Sequence, residues 1–314
     1  MAGEPFPISP VLTGISLAYS NGAYIADNVM PRLPPHDKSV YLYHLFGFDQ
    51  LITVPDTAVG RKSAPNEVEF KAQELTSQTK RYGLDDPVPL TDSRDAPDGY
   101  DPVDFAVTGL TELILLDREV RVASIVQSAS SYAASQVETL TGSDKWSDPT
   151  SDPLGQIADA LDAPPLRPNV MTLGAREWSV LRRHPALVSA INRSSGDKGR
   201  VTRREAAELI EVDRIEVGQA WVNANRPGQP PQRVRVWGGH ASLTYQAANI
   251  GSKRIVTWGW TAQTKAPGSN SARFAGSKLD DKIGMYGGTR VRVGEEVEER
   301  VVAPDLGYLI REVL

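Results

Sequence analysis

The strongest constraint on the fold is a long helix signal that begins at Asp101. The Asp101 carboxylate can accept from the first free backbone amides, and Pro102 suits the first helical position because its φ is already helical. Apolar residues then recur near helical spacing, and no proline occurs between Pro102 and Pro149. A helix that continues to about residue 137 would be roughly 50 Å long. The positions expected to face a core are Val103, Val107, Leu110, Leu113, Ile114, Val120, Val122, Ile125, Ala129 and Tyr132.

The segments before the helix lack most features of a core. Residues 1–38 contain six prolines and little periodicity, which predicts an extended arm without an amphipathic face. The run from Val40 to Val54 is rich in aromatic and β-branched residues and predicts a strand or a strand pair. Residues 55–82 are mostly polar, so we expect a hairpin that projects from the subunit. The Asp- and Pro-rich stretch from 85 to 101 is interpreted as a solvated linker.

The second half of the chain predicts short helices alternating with strands. Asp152 followed by Pro153 marks one helix start, and the capping box of Thr202 and Glu205 marks another. A further helix is expected after Gly174. Alternating segments predict strands at residues 169–173, 214–222, 234–237, 242–246, 254–260, 289–293, 297–302 and 308–313. The mixture indicates an α+β fold.

Composition excludes several functional classes. The chain of 314 residues has no cysteine, so disulfides, thiolate metal sites and cysteine nucleophiles are ruled out. No run approaches the roughly 20 apolar residues of a membrane span, and the N-terminus does not resemble a secretion signal. The formal charge of −5 argues against tight nucleic-acid binding as the main activity, and any contact with a genome is expected to be loose.

Motifs for catalysis and metal binding are absent from the sequence. There is no glycine-rich phosphate loop, no HExxH motif and no GxSxG elbow, and the four histidines are isolated. Carboxylates recur at every third position in Asp92, Asp95, Asp98 and Asp101, whereas a calcium loop needs alternate positions and a closing glutamate. We therefore predict no catalytic residue, no cofactor and no metal site.

Two groups of charged residues need an explanation. A polar run near the C-terminus holds the carboxylates Glu295, Glu296, Glu298 and Glu299. They could support acid–base catalysis, but the run has no histidine or aromatic platform, so a charged outer strand face is favoured. Positive charge is concentrated in Arg176, Arg182, Arg183, Arg193, Arg200, Arg203 and Arg204. These arginines fit helix solubility, with salt bridges to an acidic neighbour or loose nucleic-acid contact as alternatives. The expected core or interface anchors are Trp237, Trp258 and Trp260.

The order of these parts resembles the major capsid proteins of tailed phages, which have the Johnson or Hong Kong 97 fold. The resemblance is carried by WSDPTSDPLGQIADAL at 146–161, RPNVMTLGAREWSVLRRHPALVSAI at 167–191, IEVGQAWVNAN at 215–225, VWGGHASLTY at 236–245 and APDLGYLIREVL at 303–314. These segments cover the C-terminal half. In the first half, the order of arm, hairpin and long helix carries the resemblance.

The resemblance implies a division of the chain into named parts. The first half would comprise an N-arm at 1–45, an extended E-loop hairpin with flanking strands at 46–100, and a peripheral domain with a spine helix at 101–149. The second half would comprise an axial domain at 150–253, a return to the peripheral domain at 254–302, and a last strand at 303–314 that rejoins the axial domain.

The resemblance also implies a structural function in a phage virion. Such proteins build icosahedral shells from hexamers and pentamers around double-stranded DNA, and this one would be made in the bacterial host cytoplasm. The implied partners are further copies of the chain, a portal, a decoration protein, loosely contacted DNA and, since no scaffolding segment precedes the arm, a separate scaffold protein. No membrane partner is expected. The alternatives are an encapsulin-like cargo compartment with the same fold and a carboxylate-based α+β hydrolase.

Three basic residues of the hairpin are the candidate subunit contacts. We expect Arg61 and Lys62, near its tip, to meet an acidic surface of a neighbour. In some members of the family, a hairpin lysine forms an isopeptide bond with an asparagine in the peripheral domain of a neighbour. Lys62 or Lys71 could donate here, but the chain has no asparagine after Asn270. The resemblance therefore implies a non-covalent lattice.

Overall fold

The fold is that of a computed structural model, which describes residues 6–46, 53–68, 72–191, 199–226, 228–248 and 256–314. Its α-helices in these ranges are α1 (Pro10–Ala18), α2 (Ala26–Val29), α3 (Leu90–Arg94), α4 (Pro102–Val126), α5 (Pro153–Asp162), α6 (Ala175–Leu181), α7 (Pro185–Ile191) and α8 (Arg203–Ile210). Its strands are β1 (Val40–Phe46), β2 (Ala72–Gln78), β3 (Lys80–Pro89), β4 (Val137–Thr139), β5 (Val170–Gly174), β6 (Arg214–Gly218), β7 (Trp221–Asn223), β8 (Arg233–Arg235), β9 (His240–Thr244), β10 (Gly259–Gln263), β11 (Arg273–Asp280), β12 (Gly288–Val301) and β13 (Gly307–Arg311). The predicted α+β class is confirmed.

The strands form two larger sheets and two hairpins. In the four-stranded sheet, β12 is central and pairs with β3 along one edge and with β11 and then β10 along the other. The five-stranded sheet has the order β4-β13-β9-β5-β6, with β13 parallel to β4 and β5 parallel to β6. The antiparallel hairpins are β1–β2 and β7–β8. The last strand of the chain, β13, joins the sheet that contains β5, β6 and β9.

The five-stranded sheet carries the largest core. Its buried side chains, such as Met171 and Leu243, pack against one continuous layer of α5, α6, α7 and α8. The predicted helix starts are confirmed here, because Asp152 caps α5 and Thr202 and Glu205 form both halves of a capping box on α8. Burying one large apolar side chain contributes about 1.5–3 kcal/mol, so this layer can stabilise the sheet without help from other copies.

The first half of α4 packs against the four-stranded sheet. Val107, Leu110 and Ile114 meet Val291 and Val293 of β12 in a second core. The last turns of α4 contribute to a third core that contains Trp237 and Trp258. The other buried residues of this core are Ile25, Ala26, Val29, Met30, Val122, Ala123, Val126, Tyr132, Leu306 and Leu309. One helix therefore joins the two larger sheets. The anchor role predicted for the tryptophans is confirmed, since Trp260 is also buried.

The long helix is shorter than predicted. α4 begins at Pro102, with the Asp101 carboxylate accepting from the Val103 amide at 2.8 Å, but it ends at Val126, which makes it about 37 Å long. The serine-rich sequence that follows favours turns over helix, because serine hydroxyls compete for backbone groups. Tyr132 instead folds back into the third core and donates its hydroxyl to the Val126 carbonyl at 2.7 Å. Leu113, predicted to be buried, lies on the exposed face.

The interpretation of residues 1–38 as an arm with no face for a core is wrong in its described part. Ser9 and Pro10 start α1, whose buried side includes Leu12, and Val29 and Met30 are fully buried in the third core. Residues 31–36 then follow β10, where the Leu33 amide donates to the Thr261 carbonyl at 2.8 Å. The prediction took the prolines as a sign of irregular structure. Here they lie at the first turn of a helix and along the edge of a sheet, and both positions tolerate a residue without a backbone N–H.

Two further predictions, one of a linker and one of two separate strands, also need correction. Residues 85–89, interpreted as a linker, form the end of β3, where Asp85 pairs with Arg292 of β12 at 2.6 Å. β3 is an edge strand, so Pro87 costs no ladder hydrogen bond on its open side. The two strands predicted at 289–293 and 297–302 are one strand, β12, because Gly294 makes room for the Phe274 ring rather than a turn.

Candidate assembly surfaces

The loop between β1 and β2 is the most exposed segment of the subunit. Every described residue from 53 to 68 is exposed, and the loop contacts itself, with the Asn66 amide donating to the Asp56 carbonyl at 2.8 Å. Arg61 and Lys62 lie in a turn of this loop, and no salt bridge of the described residues involves either. Lys71, the third predicted contact, lies outside the described residues. The hairpin strands are β1 and β2, so the hairpin begins earlier in the chain than predicted.

An acidic surface lies near the start of α4. Asp92, Asp95 and Asp98 are exposed, and Arg94 pairs with Asp95 at 2.8 Å. No group of three or more acidic or histidine side chains in the described ranges could hold a metal ion. The surface therefore offers spread negative charge instead of a chelating site.

Large apolar side chains are also exposed at two places. At the turn between β11 and β12, Leu279 and Met285 are 84% and 89% exposed. On the outer side of α4, Phe105 is 65% exposed and its ring lies 5.7 Å from that of Tyr100. Contiguous apolar groups on a protein surface are typical of contact sites with other proteins. No described helix is long and apolar enough to cross a membrane.

A buried charge network connects the N-terminal segment to the four-stranded sheet. Arg32 donates to Asp27 at 2.8 Å and to Glu295 of β12 at 3.1 Å. Glu295 is 1% exposed and also lies 3.5 Å from the guanidinium of Arg273. The prediction that the glutamates at 295–299 form a charged outer face is therefore wrong at Glu295 and Glu299, because they lie on the same face of β12 as the buried Val293 and Val297.

The same network continues to the long helix. Arg118 is 1% exposed and donates to Asp27, and its Nε lies 3.5 Å from Glu299. Glu299 also accepts from Arg121 at 3.0 Å, and Arg121 pairs further with Asp117. The network contains four positive and four negative charges. The positive side chains are Arg32, Arg118, Arg121 and Arg273, and the negative ones are Asp27, Asp117, Glu295 and Glu299. The network carries no net charge, and its buried members Arg118, Glu295 and Glu299 each have a partner of opposite charge, although the carboxylates of Asp27 and Asp117 are exposed.

The electrostatic state of Glu295 follows from this arrangement. Burial favours the neutral acid and would raise its pKa, but the guanidiniums of Arg32, Arg273 and Arg118 outweigh burial and hold the pKa of Glu295 below its ordinary value. Asp27 behaves in the same way, since Arg118 and Arg32 lower its pKa against the effect of burial. Both carboxylates are therefore ionised at neutral pH and act as structural anions.

Glu119 forms a second buried junction, one residue from Arg118. Its carboxylate accepts from the Ile25 amide at 2.9 Å, the Ala26 amide at 2.8 Å and the Trp237 indole at 2.6 Å. These donors come from the N-terminal segment and from the connection between β8 and β9. One side chain of α4 therefore ties together three parts of the chain that are distant in sequence.

Neither junction could be found from the sequence. Arg32 and Glu295 are 263 positions apart, so no local spacing links them. The sequence of β12 held a weak sign of buried glutamates, because glutamates interrupt a valine-rich strand whose other residues are typical of a buried strand.

A cavity of about 420 Å³ beside the junctions is lined by Tyr24, Arg32, Arg118 and Glu119 among others. The charged groups in its walls already have partners, so we assign it no ligand.

Known proteins match this chain along its whole length. It is 48% identical to the major capsid protein of Pseudomonas phage JBD67 over 314 residues, which cover 100% of this chain and 99% of that relative. It is 26% identical to the major capsid protein of Burkholderia phage BcepMu over 321 residues, covering 96% of this chain and 95% of that relative. Its fold matches the crystal structure of a phage-related protein from Bordetella bronchiseptica with a TM-score of 0.76 and 22% identity, covering 99% of both chains. No known family profile matches the sequence.

Proposed function

This chain belongs to the phage major capsid proteins with the Hong Kong 97-like fold, and on that premise we propose that it assembles as hexamers and pentamers into an icosahedral shell around double-stranded DNA. The observation that carries the proposal is the 48% identity to a phage major capsid protein over the full chain. The function is structural, and its place is the virion.

The geometry of the subunit supports assembly through the loop between β1 and β2. Ordering a loop costs about 1–2 kcal/mol of conformational entropy per residue, and a fully exposed loop recovers little of this within its own subunit. Contacts with a neighbour would offset that cost. We propose that Arg61 and Lys62 meet an acidic surface of a neighbour, and that the exposed Asp92, Asp95 and Asp98 of that copy provide it.

The parts named by the resemblance take positions in this proposal. The loop region would be the E-loop, α4 with the four-stranded sheet the peripheral domain, and the five-stranded sheet with its helices the axial domain. A separate scaffold, a portal and a decoration protein are the further partners that we propose, together with loose contact to the packaged DNA.

The alternative functions are less well supported. Both curated relatives are capsid proteins of phages, which favours a genome shell over an encapsulin-like compartment. A carboxylate-based hydrolase needs a free acid–base pair, but Glu295, Glu296, Glu298 and Glu299 all accept from arginines. We therefore propose no catalytic role.

Electron microscopy of the purified protein tests the proposal. The 34.1 kDa chain, expressed alone and together with the genes beside its own, is expected to form closed shells or rings of five and six subunits. A protein that stays monomeric in both preparations would contradict assembly. Shells that enclose a co-expressed cargo enzyme and never DNA would favour the compartment.

A further inference from the structure

One stretch of this acidic protein contains no acidic residue at all. Between Val217 and Leu279 there is no aspartate or glutamate, although the whole chain carries a formal charge of −5. The cations in the stretch are Arg226, Arg233, Arg235, Lys253, Arg254, Lys265, Arg273 and Lys278. An uninterrupted excess of positive charge in an acidic chain is the electrostatic footprint expected of a polyanion contact.

Three of these cations lie on the β7–β8 hairpin. Arg233 and Arg235 are on β8, which pairs with β7 so that Arg235 lies opposite Trp221. The Arg235 guanidinium stacks over the Trp221 ring with 4.2 Å between its carbon and the ring centroid. Arg226 and Arg233 are exposed, and no salt bridge of the described residues involves any of the three arginines. Their charge is therefore available to a ligand.

The loop that joins the two strands is held by its own hydrogen bonds. The Asn223 side chain accepts from the Gln232 amide at 2.9 Å, and the Asn225 side chain donates to the Pro230 carbonyl at 2.7 Å. The Ala224 amide donates to the Gln232 carbonyl at 2.9 Å. These bonds fix residues 223–225 against residues 230–232, which lowers the entropy that a ligand contact at this end of the hairpin would cost.

The arginines on α6, in the turn after it and on α8 have different surroundings. Glutamates lie among them, and Arg204 pairs with Glu208 at 2.9 Å. Arg183 donates to the Ser179 carbonyl of its own helix at 2.7 Å. These arginines fit the helix-solubility interpretation, whereas the hairpin arginines have no acidic neighbours in sequence.

We propose that the β7–β8 hairpin contacts the phosphate backbone of the packaged DNA through Arg226, Arg233 and Arg235. The proposal rests on the proposed function and names the part of the shell that meets the genome. Arginine recognises phosphate through its planar fork of donors, and such contacts need no base sequence. Each contact is weak, but a shell repeats the hairpin on every subunit, so the contacts act together.

The test compares two triple variants of the full chain that lose the same charge. The hairpin variant is R226Q/R233Q/R235Q, and the control is R176Q/R183Q/R203Q on α6, the turn after it and α8. Binding of the unassembled subunit to a fluorescent DNA duplex is measured by anisotropy between about 50 and 200 mM salt. Thermal melting of each variant shows whether it is folded.

We expect the hairpin variant to bind at least about tenfold more weakly at the lowest salt and to lose about 2–3 from the slope of log affinity against log salt, because each phosphate contact contributes about 0.9. The control variant should keep most of the wild-type affinity for DNA and most of its salt dependence. Equal losses in the two variants would show that overall charge acts instead of the hairpin, and unchanged binding in the hairpin variant would also overturn the proposal.

Shell formation separates this proposal from the proposed function. If the folded hairpin variant binds DNA like the wild type but forms no shells, the hairpin contacts an acidic surface of another copy, and the DNA proposal is wrong. If the wild-type protein forms no shells under any condition, the proposed function fails whatever the DNA measurements show.

Discussion

At the scale of single residues, the most informative side chains are charged groups that are buried in the folded subunit. Glu295 has arginines on both sides, and Arg118 reaches a carboxylate of the N-terminal segment and one of β12. A complete buried ion pair adds little net stability, because desolvation offsets the attraction. Removing one partner is costly, since the other charge stays buried. The main effect of the network is therefore to fix the position of the N-terminal segment. Its net contribution to the free energy of unfolding is small.

Replacement of Glu295 tests this network. The E295Q variant leaves Arg32 and Arg273 without their shared anion, and we expect the free energy of unfolding of the unassembled subunit at pH 7 to fall by about 3 kcal/mol. The control is E208Q, which removes an exposed pair with Arg204 and should leave the urea midpoint nearly unchanged. Similar midpoints for the two variants would show that the network does not hold the subunit together.

The same pair of proteins gives a pH dependence with a definite sign. The folded-state pKa of Glu295 is lowered, so its contribution is fully present above the unfolded value of about 4.3 and is lost as the pH falls through the folded value. The stability difference between wild type and E295Q should therefore be constant near neutrality and shrink in acid. Urea melts at a series of pH values measure it. A difference that grows on acidification would contradict the assignment.

Charge reversal at Arg61 and Lys62 tests the loop contact. Both side chains are exposed and make no salt bridge among the described residues, so the R61E/K62E variant should melt like the wild type. Its assembly should weaken, because two attractions to an acidic neighbour become repulsions. Light scattering follows shell growth, and R200E/R203E serves as a control of equal charge change. Equal damage to melting and assembly would argue against an intersubunit role.

At the scale of elements, two segments that look alike in sequence have opposite roles. Residues 1–38 and the loop at 53–68 are both interrupted by prolines and glycines, and neither was expected to contribute to a core. The structure separates them, since the first contributes Val29 and Met30 to a core and the second is wholly exposed. Breaker residues alone do not distinguish a segment that packs through a few side chains from one that does not pack.

Deletion of residues 1–38 should therefore unfold the subunit. It removes Leu12, Ile25, Val29 and Met30, and burial of four large apolar side chains is worth about 6–12 kcal/mol. That is comparable with the total stability of a typical protein, about 5–15 kcal/mol. Circular dichroism of the truncated chain should show no cooperative melting transition. A soluble truncated chain that melts sharply would restore the interpretation of this segment as a detachable arm.

Replacement of residues 54–67 by a short Gly-Ser linker should have the opposite effect. No core residue is lost, so the melting temperature should stay nearly unchanged, whereas closed shells should no longer form. Microscopy and calorimetry of one preparation measure both properties. Normal shells from this variant would show that the loop is dispensable for assembly.

At the scale of the whole molecule, one helix organises the subunit. α4 packs against the four-stranded sheet with its first half and shares the third core with its last turns, where Glu119 holds Trp237 and the start of α2. The helices α5 to α8 and the five-stranded sheet share the remaining large core. The subunit can therefore fold first and assemble afterwards through the surfaces that project from it.

At the scale of the whole particle, we expect the subunits of the lattice to be joined by non-covalent contacts. An isopeptide bond needs an asparagine near a lysine and a carboxylate, but residues 271–314 contain no asparagine. Particles boiled in detergent should run as a single band at the monomer mass of 34.1 kDa. A ladder of multimers with loss of ammonia in mass spectrometry would reveal a covalent lattice and point to Asn249 or Asn270 as the acceptor.

The sequence by itself determined the features that depend on neighbouring residues. Helix starts at Asp101, Asp152 and Thr202 were predictable because a cap acts within three residues of its own position. The ordered C-terminal segments were enough to indicate the family. Tertiary structure decided that the chain turns back after α4, because Tyr132 packs into a core built from distant parts of the chain. It also decided which cations neutralise Glu295, since its pairing with Arg32 spans 263 positions and no local spacing predicts it.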